Sequence, residues 1–191
     1  GFFKITEGES SGLWSVLRSS EDEVLKGSLL ITLYENLRWK TISPQGFREE
    51  MLAYLPNESN SLLFSMALSY LGDCQRIFPS DSCPLEEALW KIVTTNPVSQ
   101  HRLQAFRLYR SIADSEEAVQ RLYTLWQERK APKDCTLSES DYIGLSYMLA
   151  MHLPEKADKI IATQLSRIQN PDRKKEYQFI SPSVSPRKAE R

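Results

Sequence analysis

Zinc hydrolysis on a helical scaffold needs two histidines four residues apart with a glutamate beside the first, H-E-x-x-H, so that both imidazoles reach one metal and a position stays open for water. This chain contains two histidines, His101 and His152, 51 positions apart, and the motif is absent. Each is expected in a surface or helix-terminal structural role. The cysteines, Cys74, Cys83 and Cys135, are odd in number and form no C-x-x-C pair. That excludes a thiolate zinc site and a disulfide framework and predicts buried free thiols. No G-x-S-x-G elbow or phosphate-cradling glycine loop occurs, so activated-serine and phosphoryl chemistry lack their positioning elements. The acidic pairs Glu49-Glu50, Glu86-Glu87 and Glu116-Glu117 fall in first turns or on exposed faces, where they complement a helix dipole. The run Arg173-Lys174-Lys175 reads as a solvated helix face. Trp14, Trp39, Trp90 and Trp126 read as core or inter-repeat packing. No catalytic residue and no metal ligand emerges.

With 191 residues, 41% hydrophobic and 26% charged, the chain can bury one ordinary core and lies far from the composition of disorder. Seven glycines are few for the turns of a sandwich or barrel, so the composition favours helix. A net charge of −1 supplies no broad positive field for a phosphate backbone, and nucleic acid is not an expected partner. No stretch approaches the roughly 18 apolar residues of a membrane span, and the N-terminus does not read as a signal peptide. The expectation is a soluble chain with no membrane partner.

The elements follow from period and punctuation. Residues 1–5 read as one strand or extended entry without a partner strand, and Glu7 to Gly12 as a loop. From Ser20, paired with Glu23 as a capping box, Val24, Leu25, Leu29, Leu33, Tyr34 and Leu37 take one face of a helix. Further helices are expected from Ser43-Pro44, Asn60, Pro84, Ser99, Ser115, Ser138 with Asp141, Pro154 and Asn170-Pro171. Every second start falls near 21, 60, 99 and 139, a recurrence of two helices per roughly 40 residues, the length signature of HEAT-like stacked pairs. The fold class expected is all-α: stacked antiparallel helix pairs in a HEAT/ARM-like superhelix, after a short extended N-terminal segment. The alternative is a non-repetitive bundle. A tail over residues 181–191, with Ser-Pro twice, is expected to fray.

Several segments, spread along the whole chain, resemble the C-terminal region of the zinc aminopeptidases related to aminopeptidase N, the bacterial branch in particular. Residues 1–5, G-F-F-K-I, are similar to a strand that closes a small β-sandwich in that family, with Trp14 and Leu17 placed like the W-x-x-L that follows. Asn96-Pro97 followed by Arg102-x-Gln104 resembles an N-P…I-R-x-Q-D segment, departing from it at His101 and Ala105, and Trp126 resembles the tryptophan that ends the next helix. The strings around Leu153-Pro154, Gln164-Leu165, Asn170-Pro171-Asp172-Arg173 and Phe179-Ile180-Ser181-Pro182 are similar to the terminal helices of bacterial members.

The resemblance implies three segments: 1–19 as the end of a preceding β-sandwich and linker, 20–180 as a C-terminal helical repeat domain, and 181–191 as a flexible tail. It implies a parent enzyme that hydrolyses N-terminal residues from peptides, with zinc held by an upstream catalytic domain of the same polypeptide and no cofactor in this segment. In that setting the helical domain caps the cleft and restricts access of the peptide substrate. Arg102, and after it Arg173, are the substrate-contact candidates, because a guanidinium grips a peptide carboxylate bidentately. The compartment stays open between bacterial cytoplasm and periplasm. Separation from an upstream neighbour is expected to expose an apolar N-terminal end, where a homodimer could form. The alternative function is a free-standing HEAT-like scaffold that binds another protein.

Overall fold

Helix starts in this chain are written in short polar side chains that accept the first free N–H groups. Thr6 caps α1 (Glu7–Ser19), and Glu9 reaches back to the Thr6 N–H at 2.7 Å, completing a capping box. Asp22 caps α2 (Glu23–Arg38), accepting from the N–H groups of Val24 and Leu25. Ser43 caps α3 (Pro44–Tyr54), with proline in the first turn, and Asn60 caps α4 (Ser61–Ile77). Next come α5 (Cys83–Thr95), with Pro84 in its first turn, and α6 (Ser99–Ile112). Ser115 starts α7 (Glu116–Glu128), and a capping box between Ser138 and Asp141 starts α8 (Glu139–His152). A 3₁₀ turn, Pro154–Lys156, leads into α9 (Ala157–Arg167), and Asn170 caps α10 (Pro171–Ile180).

The computed structural model describes residues 3–184, and over these the chain is all α, with no strand. Two expectations near the N-terminus change. The segment read as a loop over residues 7–12 is the first half of α1, and the cap of α2 is Asp22, because its carboxylate reaches two N–H groups while Ser20 Oγ accepts from the Asp22 N–H. The expected strand lies partly outside the described residues. Within them, the amide of Asn36 holds the backbone, accepting from the Ile5 N–H at 3.0 Å and donating to the Phe3 carbonyl at 2.8 Å. Ser181–Val184 form a 3₁₀ turn, and the rest of the expected tail lies outside the described residues.

The chain divides into two compact units, Gly1–Leu108 and Tyr109–Arg191. In the first, α1 packs on α2, α2 on α4, and α3 on α4. Its core holds Trp14, Leu30, Leu33, Phe47, Met51 and Phe64, each at most 2% exposed. In the second, α7 packs on α8, α8 on α9, and Tyr177 of α10 is buried with its hydroxyl 2.9 Å from Ser146 Oγ.

Within each unit, side chains on one helix meet the next helix but one at two ranges of interval. In the first unit the Tyr34 hydroxyl donates to Asp73, 39 residues on, and Ser61 meets His101, 40 residues on, while Arg18 meets Glu50, 32 residues on. In the second, Trp126 donates to Gln164, 38 residues on, and receives Arg167 on its carbonyl, 41 residues on, while Ser146 meets Tyr177, 31 residues on.

Four expectations about burial change. Trp39 is 66% exposed, because it follows the last residue of α2 and lies past the buried stripe. Val24, expected on the inner face of α2, is 80% exposed, since the stripe of α2 turns through Leu29, Leu30, Leu33 and Leu37. Glu86 is buried. Of the three thiols Cys74 is buried, Cys135 half-buried and Cys83 exposed.

Candidate functional site

Two cavities of the first unit lie between α3 and α5. One of about 320 Å³ joins Gln45, Arg48 and Glu49 of α3 to Pro84 and Leu85 of α5, and a second of about 310 Å³ joins Pro56 to Ala88, Ile92 and Thr95. Leu52 lines both, so they meet in one groove between the two helices. The spacing of its floor, Leu52 with Leu85, Ala88 and Ile92, follows from helical period: residues three or four apart share a face.

Charge sits at the rim. Glu49 accepts from the Gln45 amide at 2.9 Å, and Asp81 accepts from the Cys83 N–H at 3.0 Å at the mouth of the first cavity. Lys91 stands at the second. Arg48 is held into the wall, donating to the Phe78 carbonyl at 3.1 Å and to Cys74 Sγ at 3.5 Å. Burial pushes the Cys74 thiol up, against the pull of that guanidinium. A groove of this kind binds apolar side chains of a chain segment through shape, and its lining holds no hydrogen-bonded nucleophile and base.

Arg102 and Arg173 are each engaged locally. Arg102 Nε donates to the Asn96 carbonyl at the end of α5, beside the second cavity, whose wall includes Asn96 and Pro97. Arg173 lies in the second unit, with its guanidinium 3.4 Å from the Glu139 carboxylate. The Glu139 carboxyl is held below its usual range, first by the Gln169 N–H and then by Arg173 among others.

A contact between Ser61 and His101 was not among the sequence expectations. Ser61 Oγ lies 3.0 Å from His101 Nε2, the first link of a hydrolytic triad. The remaining links differ. His101 is 0% exposed and its ring stacks on Phe64 with centroids 4.0 Å apart, so a substrate has no path to it. Its Nδ1, which a triad acid must orient, has no hydrogen-bond partner among the described residues. The nearby buried carboxylate of Glu58 is committed elsewhere, to Lys26 Nζ at 2.6 Å, the Tyr54 hydroxyl and the Asn60 N–H. The first N–H groups of α4, a natural place for an oxyanion hole, are capped by Asn60 Oδ1. The cluster is an interior polar knot that joins α2, α4 and α6. Its only sequence-level trace is the 40-residue interval between Ser61 and His101.

Among the described residues no group of three His, Cys, Asp or Glu could hold a metal ion. No described helix is long and apolar enough to cross a membrane. Comparison with protein families, with curated proteins and with solved structures finds no match.

Proposed function

We propose that this chain is the non-catalytic C-terminal helical domain of a zinc aminopeptidase related to aminopeptidase N, and that it restricts peptide access to a catalytic cleft upstream. The observation that carries the reading is the recurrence, inside each unit, of side-chain contacts 38 to 41 residues apart. It supports a HEAT-like superhelix of stacked pairs, whose stiff, extended frame suits a lid better than a reaction centre. The likeness of the Asn96-to-Gln104 and Leu153-to-Pro182 strings to the terminal region of that family points the same way. On this reading the chemistry belongs to residues upstream, and the α3–α5 groove is a surface that peptides meet.

The test starts from the native reading frame upstream of Gly1. An H-E-x-x-H motif with a downstream glutamate is expected there. The full-length protein should then release N-terminal residues from peptides in a zinc-dependent manner, and deleting residues 20–180 should broaden the range of peptide lengths accepted. An upstream frame without that motif, or turnover of aminoacyl reporters by the 191-residue chain alone, overturns the proposal.

A further inference from the structure

The end of α7 gathers two guanidinium groups with no carboxylate between them. Arg167, in the last turn of α9, lies 4.8 Å from the centre of the Trp126 ring and donates to the carbonyls of Trp126 and Gln127, at 3.0 and 3.2 Å. Arg129, which closes α7, holds its exposed guanidinium 5.2 Å from the centre of the Tyr142 ring on α8. Among the described residues neither arginine makes an ion pair, and the Tyr142 hydroxyl makes no hydrogen bond. The acids at the start of α8 are committed elsewhere: Asp141 to Ser138 and Arg110, Glu139 to the Gln169 N–H and Arg173. A guanidinium offers five N–H donors in a planar fork. Three therefore remain on Arg167 and all five on Arg129.

Helix-end carbonyls and aromatic rings account for where these groups lie, yet the pair carries costs. Arg129 sits in the left-handed region, φ 54°, where a helix end favours glycine or asparagine. The two like charges also act on one another. Burial first, and then Arg129, hold the Arg167 guanidinium below its ordinary value, with Tyr142 opposing. The Tyr142 hydroxyl, pushed up by burial, is drawn down by Arg129 and by Arg167, so it lies in the field of both. An anion seated among the three groups removes the repulsion and fills the open donors.

We propose that Arg129, Arg167 and the Tyr142 hydroxyl form an anion site at the end of α7 that takes a phosphate dianion. Planar forks match phosphate oxygens two at a time. Two guanidinium charges balance the roughly −1.5 to −2 that a phosphate monoester carries near neutral pH, whereas one carboxylate leaves the second guanidinium uncompensated. The Trp126 and Tyr142 rings are buried, which leaves no aromatic face for a base to stack on, so the site reads the phosphate group itself. All three residues belong to the second unit. Nothing in the site depends on an upstream peptidase, so it can fail or hold apart from that reading.

Titration of the 191-residue chain with inorganic phosphate at about pH 7.5, where the ion is mainly a dianion, tests this. The readout is the arginine Nε–Hε signals in NMR spectra, with chloride holding the ionic strength constant. Saturable shifts of the Arg129 and Arg167 signals are expected, with acetate at least about tenfold weaker. Arg129→Asn suits the left-handed backbone, so the denaturation midpoint should hold or rise, while phosphate affinity should fall by about tenfold or more with the charge-assisted bonds. Tyr142→Phe keeps the ring beside Arg129 and should weaken phosphate about threefold to tenfold. O-phosphoserine run beside inorganic phosphate distinguishes an esterified ligand from the free ion by which binds tighter. Shifts no larger than those from chloride, acetate binding as tight as phosphate, or unchanged affinity in either variant each overturn the proposal.

Discussion

The two units solve the same problem, joining helices far apart in the sequence, with different chemistry. The first places ionisable groups in its interior: Glu58 between Lys26 and Tyr54, and His101 stacked on Phe64 and bonded to Ser61. The second also buries one carboxylate, Asp141, but bridges α7 and α9 with groups that keep one charge state across the neutral range. The Trp126 indole donates to Gln164 at 2.8 Å, the Arg167 guanidinium lies 4.8 Å from the Trp126 ring centre and donates to the carbonyls of Trp126 and Gln127, and Ser146 meets Tyr177. Its histidine, His152, is at the end of α8, 3.9 Å from Asp114 and partly open to solvent. The lesson is that stacking geometry fixes where a bridge must be, while the residue chosen for it decides how the bridge responds to conditions. Interior ionisable groups make stability depend on pH, and neutral amides and packed guanidinium planes do not.

The sharpest way to break this comparison is to remove the central bridge of the second unit. Trp126→Ala discards a side chain that is 3% exposed, leaves the Gln164 oxygen unpaired and strips the surface under Arg167. A loss of about 4 kcal/mol is expected by chemical denaturation, with hydrogen exchange rising in α7 to α9. Next in size is Glu58→Ala in the first unit. It leaves the Lys26 ammonium, on a side chain only 15% exposed, without its carboxylate, and about 3 kcal/mol should be lost, read as faster exchange in α2 and α4. If these two substitutions loosened the same helices, the division of the chain into two units would be the wrong frame.

Acid should separate the units with a smaller effect. Burial holds the His101 imidazole below its ordinary value, against the opposing pull of Glu58. The folded state therefore favours the neutral ring, and the unfolded chain takes up the proton first. This contribution is whole above about pH 6.5 and is lost as pH falls through the lower folded value. For Glu58, burial pushes the carboxyl up, but Lys26, the Tyr54 hydroxyl and the Asn60 N–H outweigh it and the net value is lowered. Its contribution is whole above about pH 4.3 and is lost as pH falls through the folded value beneath that. The first unit should thus soften in two steps on acidification, the earlier one setting in as pH falls below about 6.5. Denaturation midpoints across this range should fall for the native chain and stay level for His101→Phe, which keeps the stack on Phe64. A native chain with level midpoints would remove the contrast.

The smallest expected effect is at a cap. Ser138→Ala removes the acceptor for the Asp141 N–H, 3.2 Å away, and frees Asp141 from its hydroxyl partner. About 1 kcal/mol should be lost, confined to the first turn of α8.

What the sequence made legible was local. The starts of α3, α4, α7, α8 and α10 are each announced by the residue that caps them, and the 40-residue rhythm came from the starts of α2, α4, α6 and α8. The first helix was missed although Thr6 and Glu9 carry the T-x-x-E pattern of a capping box; two glycines and two serines between Glu7 and Gly12 gave a loop-like composition that packing of Trp14 and Leu17 overrides. The groove and the polar knot were not legible. Leu52 serves two cavities only because α3 and α5 lie side by side, and the Lys26–Glu58 pair spans 32 residues. Arg102 and Arg173 were chosen for what a guanidinium can grip. Their partners, the Asn96 carbonyl and Glu139, are set by how chain turns present those groups after folding.

The amide of Asn36 carries one more consequence. It contacts the entering chain only through the Phe3 carbonyl and the Ile5 N–H, groups that every residue except proline offers alike. Helix α2 thus holds residues 3–5 as a socket holds a plug, by the shape of their backbone and through groups indifferent to side chains. Substitutions at these positions, proline apart, should keep the same seat.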